Sequence, residues 1–148
     1  MYTLNRLWKY NDWANERVIK TFEEADKKIP SSSLRLLSHI VNTQTVWVNR
    51  IIGEESSLKA WDEHALAECK KMHQQSSAIL KDILDHQEEN LFKLVEYKTF
   101  AGQSYNNELF DILLHALNHG TYHRGQIAQE MRSAGLEPVG TDYITFVR

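Results

Sequence analysis

Residues 107–135 read NELFDILLHALNHGTYHRGQIAQEMRSAG, and apolar side chains recur along them mostly at three- and four-residue steps. That spacing places apolar groups on one face of an α-helix. The residues concerned are Leu109, Ile112, Leu113, Ala116, Ile127 and Met131. Gly135 then provides a residue that readily adopts the left-handed conformation found at helix ends. The sequence therefore predicts one long amphipathic helix from about Asn107 to Gly135.

Three earlier segments show the same periodicity and are also predicted to be helices. They run from about Leu4 to Glu24, from Ser31 to Gly53 and from about Leu66 to His86. Pro30 interrupts the pattern between the first two, and the serines at 31–33 are residues that commonly cap a helix N-terminus. Four amphipathic helices with few connections predict an all-α four-helix bundle, a fold that builds metal and ligand sites on facing helices.

Residues 94–106 show a different period, in which apolar and polar side chains tend to alternate. Val95, Tyr97, Thr99 and Tyr105 lie on either side of Ala101-Gly102. Alternation around a glycine is typical of two strands joined by a turn, so we predict a short β-hairpin before the last helix. The tail from Pro138 to Arg148 is expected to lie back over the bundle.

Composition restricts the class of protein. The 148 residues are 42% hydrophobic and 25% charged, which predicts a single globular domain over residues 1–148. There is no apolar run of roughly 20 residues and no apolar signal core, so a cytoplasmic protein without a membrane partner is expected. Cys69 is the only cysteine, which excludes a disulfide or a thiolate cluster within the chain. The net charge is −3 and the basic residues are scattered, which favours a small-molecule ligand over nucleic acid.

The histidines carry the most specific chemical signal. His115, His119 and His123 follow one another at four-residue steps, and such a step turns about 40° past one helical turn and rises about 6 Å. Neighbouring imidazoles can therefore converge on one ion. Gly120 stands where an HExxH zinc enzyme would have its catalytic glutamate, and Tyr122 precedes His123, so that type of general base is absent. Because a helix supplies two adjacent ligands easily and a third only with strain, another helix should provide the third.

Four further histidines are candidates for that third ligand. His64 and His86 lie near predicted helix ends, where solvated side chains are expected. His39 lies in an apolar segment, where an unpaired imidazole would carry a desolvation penalty, and His73 is a weaker rival. Spacing alone does not choose between His39 and His115, and it also allows the histidines to be exposed, or core residues hydrogen-bonded to the backbone.

Four stretches of the chain resemble the DinB family, also called the DinB/YfiT-like metalloenzymes. They are WKYNDWAN (8–15), SHIVNTQTVW (38–47), LLHALNHGTYHRGQIAQEMRSAGLEP (113–138) and the terminal TDYITF (141–146). The resemblance spans nearly the whole chain, and its most specific part is the motif NHxxxHRGQI. It implies an antiparallel four-helix bundle with one divalent ion per chain, held by one histidine of the second helix and two of the last.

The positions that match this ligand set are His39, His119 and His123. Nickel or zinc is the expected ion, although a three-histidine site also accepts manganese or iron. By the same resemblance His115 lies beside the site as a packing neighbour, and the protein is expected to be a homodimer.

Three neutral imidazoles leave coordination positions open, as in a catalytic site. The first hypothesis is a metal-dependent enzyme acting on an unidentified small molecule, because the family resembles thiol-dependent S-transferases and isomerases that use low-molecular-weight thiols. A metal-dependent hydrolase would need a general base that the sequence does not show. The third hypothesis is a non-catalytic metal-binding or stress-response protein. No catalytic residue is assigned.

A few other residues are candidates for a role near the predicted metal site. Arg124 and Gln126 can pair with a substrate carboxylate or orient a ligand, but a capping contact or an interhelix salt bridge for Arg124 and a plain surface position for Gln126 fit the sequence at least as well. Trp47 is the best candidate for a pocket wall, although aromatic residues at helical spacing more often belong to the core. Gly120 and Gly125 cost about 1 kcal/mol each relative to alanine inside a helix, which indicates close helix packing.

Overall fold

Four long helices make up most of the structure, a computed structural model that describes residues 2–25 and 28–148 apart from the Glu88 side chain. They are α1 (Tyr2–Glu23), α2 (Ser31–Ile52), α3 (Leu66–His86) and α4 (Leu109–Ser133). The shorter elements are a 3-10 turn (Glu88–Asn90), the strands β1 (Leu94–Lys98) and β2 (Ser104–Glu108), and the one-turn helix α5 (Tyr143–Phe146). The predicted all-α fold with a hairpin before the last long helix is confirmed.

The residues at the helix ends explain where α2 and α4 begin and where α4 ends. Helix α4 begins two residues later than predicted because Asn107 and Glu108 pair with Val95 and Leu94 in the antiparallel hairpin. It ends at Ser133, two residues before the predicted end, and Gly135 at φ +70° follows the C-cap residue Ala134. The predicted serine cap of α2 is wrong. Pro30 precedes the first helical residue and no side-chain cap bond forms.

Each of α1 and α2 packs against both α3 and α4. In the α1·α3 pair, Trp8 donates to Ser77 whereas the later Glu23 pairs with the earlier Lys70, so these helices are antiparallel. The α2·α4 pair is antiparallel too. Residues near the start of α2 contact residues near the end of α4, since the Ser32 hydroxyl lies 2.7 Å from a carboxylate oxygen of Glu130.

The other two contacting pairs run parallel. In α2·α3, Ser38 lies against Cys69 and the later Gln44 against the later Ser76. Parallel neighbours cannot be joined by a tight turn, so residues 53–65 cross the length of the bundle between α2 and α3. The helices thus run up, down, down, up, and this crossing segment passes over the face formed by α2 and α4.

A buried polar layer divides the core in two. The Arg124 guanidinium donates to Asn11 Oδ1 (3.0 Å), Asn11 Nδ2 donates to Gln44 Oε1 (2.8 Å) and Gln44 Nε2 donates to Ser76 Oγ (2.8 Å), so one chain of bonds joins all four helices. One apolar cluster lies on each side of this layer. The first includes Leu4, Val48, Leu80 and Leu117, and the second includes Val18, Leu37, Cys69 and Ile127.

The C-terminal tail lies against α1, as predicted. Tyr10 donates its hydroxyl to the carbonyl oxygen of Thr141 at 2.8 Å, and the rings of Tyr143 and Phe146 pack edge-on against the Tyr10 ring. Within the described residues, no helix combines the length and the apolar character needed to cross a membrane.

Candidate metal centre

Three imidazoles converge between α2 and α4. One ring nitrogen each of His39, His119 and His123 lies within 4.8 Å of the others, and the Nε2 atoms of His119 and His123 are 3.1 Å apart. Two nitrogens bound to one tetrahedral zinc at about 2.0–2.1 Å would be roughly 3.3 Å apart. The pair on α4 is therefore already spaced for a shared ion.

Hydrogen bonds at the outer ring nitrogens fix the orientation and the tautomer of two of these imidazoles. His39 Nδ1 lies 2.7 Å from the carbonyl oxygen of Ala60, and His123 Nδ1 lies 2.7 Å from Gln126 Oε1. Carbonyl oxygens only accept hydrogen bonds, so each Nδ1 carries the proton and each Nε2 keeps its lone pair. This is the tautomer that a histidine ligand needs, held by the kind of outer partner that metal-binding histidines usually have.

The crossing segment 53–65 covers His39. The indole of Trp61 stacks on the His39 ring at 3.7 Å between centroids and 6° between planes. Asn42 holds this segment in place, because its side-chain NH2 donates to the carbonyl oxygen of Asp62 (2.7 Å) and its Oδ1 lies 2.7 Å from His64 Nε2. The prediction that His64 is solvated is wrong, because this bond ties a half-buried ring to α2.

Burial keeps His39 and His119 neutral near pH 7. The pKa of His119 is lowered to about 3, first by burial and then by the neighbouring imidazoles of His123, His39 and His115. The pKa of His39 is also lowered, again mainly by burial, with further contributions from His123 and Arg35. Neutral imidazole is the ligand form, so these side chains need not lose a proton to bind an ion near pH 7.

The sequence of the chain matches a known family along its whole length. A sequence model described as DinB family matches residues 1–148. The chain belongs to the DinB family. Protein DinB of Bacillus subtilis (strain 168) is 30% identical over an alignment of 159 positions, which covers 93% of this DinB chain and 90% of that protein.

A solved structure supports the fold of this DinB chain. The crystal structure of a DinB-like protein from Bacillus cereus ATCC 10987 superposes with a TM-score of 0.60. It covers 95% of this chain and 96% of its own, at 17% sequence identity. At that identity the likeness shows the fold alone.

The remaining histidines of this DinB chain lie apart from the ligand cluster. His115 packs edge-on against Trp47 and its ring centroid is 5.5 Å from that of His119, but none of its nitrogens joins the cluster. His73 is buried on α3, where Nε2 lies 3.3 Å from a carboxylate oxygen of Asp12. His86 is exposed, as predicted.

Trp61, rather than Trp47, forms the aromatic wall beside the site. Trp47 packs against Tyr97 and His115. Trp61 lines a cavity of about 490 Å³ together with His123 and Gln126. The sequence favours Trp47 because it shares a helix with His39. Trp61 lies in the segment between α2 and α3, where helical periodicity makes no prediction.

Gln126 contacts His123, one of the three candidate ligands. The sequence alone does not decide whether its side chain orients a ligand or simply lies at the surface. Gln126 follows His123 by three residues, which places the two side chains on one face of α4, and its amide oxygen accepts from His123 Nδ1. We expect Gln126→Leu to lower metal affinity by about 10–100-fold, because His123 loses the partner that fixes its tautomer. Competition against a chromophoric chelator measures this.

Two variants complete that experiment. Gln126→Glu retains an acceptor for Nδ1 and should keep most of the affinity. Gln129→Leu removes an exposed glutamine of the same helix and should change little. Equal affinities for Gln126→Leu and the unsubstituted protein would show that the hydrogen bond has no influence on ion binding.

The metal-free protein should become less stable as the pH falls from about 6.5 towards 3. In the unfolded chain His119 takes up a proton near its ordinary pKa of about 6.5, whereas in the folded chain it does so only near 3. Between these values the unfolded state binds more protons, so the free energy of unfolding decreases as the pH is lowered. The lowered pKa values of His39 and His115 act in the same direction.

Urea denaturation at pH 7.5 and 4.5 in the presence of a chelator tests this expectation. The free energy of unfolding of His119→Ala should decrease less between these two pH values than that of the unsubstituted protein. Asp12 does not interfere. Burial disfavours its charge, but the contact with His73 and the hydrogen bond from Ser77 outweigh burial and lower its pKa from the ordinary 3.8, so its charge changes little between pH 7.5 and 4.5. Unchanged stability at pH 4.5 would contradict the prediction.

Proposed function

We propose that His39, His119 and His123 bind one divalent ion, nickel or zinc, and that this DinB protein is a metal-dependent enzyme acting on a small molecule. The observation that carries the proposal is the convergence of three imidazoles, two of them held by outer partners in the tautomer that directs Nε2 inwards. Three protein ligands are the number found in catalytic zinc sites, whereas structural zinc sites have four.

Within this proposal, a thiol-dependent S-transferase or isomerase is the first candidate reaction. The ion, when bound, would supply positive charge to stabilise the thiolate of a low-molecular-weight thiol. Within the described residues, the metal-binding cluster contains histidines and no carboxylate, so no group there is placed to act as the general base of a hydrolase. The chain's own thiol does not compete, since Cys69 is buried and burial raises its pKa.

The first experiment is elemental analysis of the purified protein, followed by reloading with nickel, zinc or manganese. We expect one ion per chain. Thiol titration of the nickel- or cobalt-loaded protein should then produce a sulfur-to-metal charge-transfer band, and a panel of thiols with electrophilic co-substrates should reveal turnover.

The possible results of these experiments distinguish the functional hypotheses from one another. An ion with a thiol band and turnover supports the transferase or isomerase. A tightly held ion that no thiol perturbs favours the non-catalytic metal-binding protein. Failure to retain any ion after reloading overturns the proposal. The cytoplasmic location and the homodimer stay predictions, and sedimentation velocity measures the latter.

A further inference from the structure

A cavity of about 490 Å³ lies between the first half of α2 and the last half of α4. It adjoins the metal centre, because His123, its partner Gln126 and the indole of Trp61 all belong to its lining. Its size is within the range of small-molecule sites. A molecule in this cavity would therefore lie beside the proposed ion.

The antiparallel packing of α2 and α4 arranges the polar side chains here in successive levels, which we call rungs. Going away from the cluster, the rungs are His39 with His123, then Arg35 and Gln126, which line the same cavity, and Ser32 with Glu130. Successive members of each helix are three or four residues apart, so neighbouring rungs are separated by roughly 5 Å along the helix axis. The hydrogen bond from the Ser32 hydroxyl to Glu130 Oε2, at 2.7 Å, anchors the outer rung.

The middle rung offers hydrogen-bond donors. The Arg35 guanidinium lies 5.2 Å from the centroid of the Trp61 ring, which keeps it at the mouth of the cavity. Its ion pair with Glu63, at 3.7 Å, joins two largely exposed side chains and contributes little in water. Gln126 uses its amide oxygen for His123, so its NH2 group is left to donate. A guanidinium and an amide NH2 together suit a carboxylate.

The outer rung carries the opposite charge. Glu130 lines the cavity with a carboxylate, one oxygen of which accepts from Ser32. An ionised carboxylate has capacity for several donors, so it can also receive an ammonium group. The cavity therefore runs from the proposed ion to a carboxylate-binding rung and then to an ammonium-binding rung.

We infer that this cavity binds a zwitterionic small molecule of about dipeptide length, with its carboxylate at Arg35 and Gln126 and its ammonium at Glu130. A single α-amino acid holds its two charges one carbon apart, which is less than the roughly 5 Å between these two rungs. Two residues extend over at most about 7 Å, which suffices. The inference rests on the proposed function only in that the cavity ends at a metal centre, and it assigns the substrate class of that site.

Three dipeptides test the charge pattern. Glycylglycine carries both charges, N-acetylglycylglycine lacks the ammonium and glycylglycinamide lacks the carboxylate. Binding is measured by NMR titration of the metal-free and the zinc-loaded protein. Glycylglycine should bind about tenfold more tightly than either blocked peptide. Arg35→Gln should abolish the preference for the free carboxylate, and Glu130→Gln the preference for the free ammonium.

Matched controls remove charges outside the cavity. Arg132→Gln and Glu137→Gln replace exposed residues near the end of α4, and both variants should keep both preferences. Equal binding of the three peptides, or preferences that survive Arg35→Gln and Glu130→Gln, would overturn the inference. Because the metal-free titration does not depend on an ion, a protein that binds no metal but discriminates among the peptides would contradict the proposed function alone.

Discussion

His119→Ala should lower the affinity of the protein for a divalent ion by more than about a hundredfold, and His39→Ala and His123→Ala should do the same. Even the outer partners of metal-binding histidines contribute about 10–100-fold to affinity, so a direct ligand should contribute more. His119 is the most sensitive position, because its Nε2 lies 3.1 Å from that of His123 and its ring is also in edge contact with His39. Elemental analysis after dialysis and chelator competition give the affinities.

Two other histidines provide controls for this series. His115→Ala removes a ring that packs against Trp47 and His119 without joining the cluster, so one ion per chain should remain. His73→Ala should also retain the ion, although loss of a buried side chain in contact with Asp12 will reduce stability. An ion lost equally in all five variants would indicate that the folded bundle, and not these three ligands, determines metal retention.

Gly120→Ala should destabilise the protein by about 2 kcal/mol or more, although alanine is favoured over glycine in a helix by about 1 kcal/mol. A Cβ at position 120 would lie 2.5 Å from Arg124 Nη1 and 3.0 Å from Asn11 Oδ1. The end of an arginine can usually move aside, but Arg124 is 1% exposed and its guanidinium donates to Asn11, Asn15 and Thr121. Moving it would leave buried polar groups without partners.

Gly125→Ala is the matched control, because an added Cβ there meets nothing within 4 Å and position 125 is exposed. It should be neutral or stabilising by up to about 1 kcal/mol. Arg124→Met removes the obstructing atom. In that background Gly120→Ala should cost much less than it does alone, and a double-mutant cycle by urea denaturation measures the coupling. Additive effects would show that Gly120 is not reserved for the guanidinium.

The sequence predicted the helices and the ligand set for different reasons. Apolar periodicity located α1 to α4 to within two residues, because each helix buries one face. Spacing indicated that His119 and His123 could converge, but it did not choose between His39 and His115 as their partner. Only the resemblance to the DinB family did so, and the structure brings His39, not His115, to the cluster.

What the sequence did not reveal lies mostly in the connections and in the polar core. Periodicity carries no information about residues 53–65, so neither the stacking of Trp61 on His39 nor the bond between His64 and Asn42 was foreseen. Arg124 does make an interhelix contact, but its described partners are amide and hydroxyl oxygens rather than a carboxylate. The indication of close packing is confirmed for Gly120 and is wrong for Gly125.

The buried polar layer also restricts how the four helices can be misaligned. Apolar layers are largely interchangeable, so a helix that slipped by one turn would still bury leucine against leucine. On α2 and α4 this layer is not repeated, because Ile40 and Val48 lie one turn from Gln44, and Gly120 and Ala128 lie one turn from Arg124. A slipped helix would place an uncompensated charge or amide against aliphatic side chains, at a cost of several kcal/mol. The layer thus makes one axial alignment of α2 and α4 strongly preferred over its neighbours.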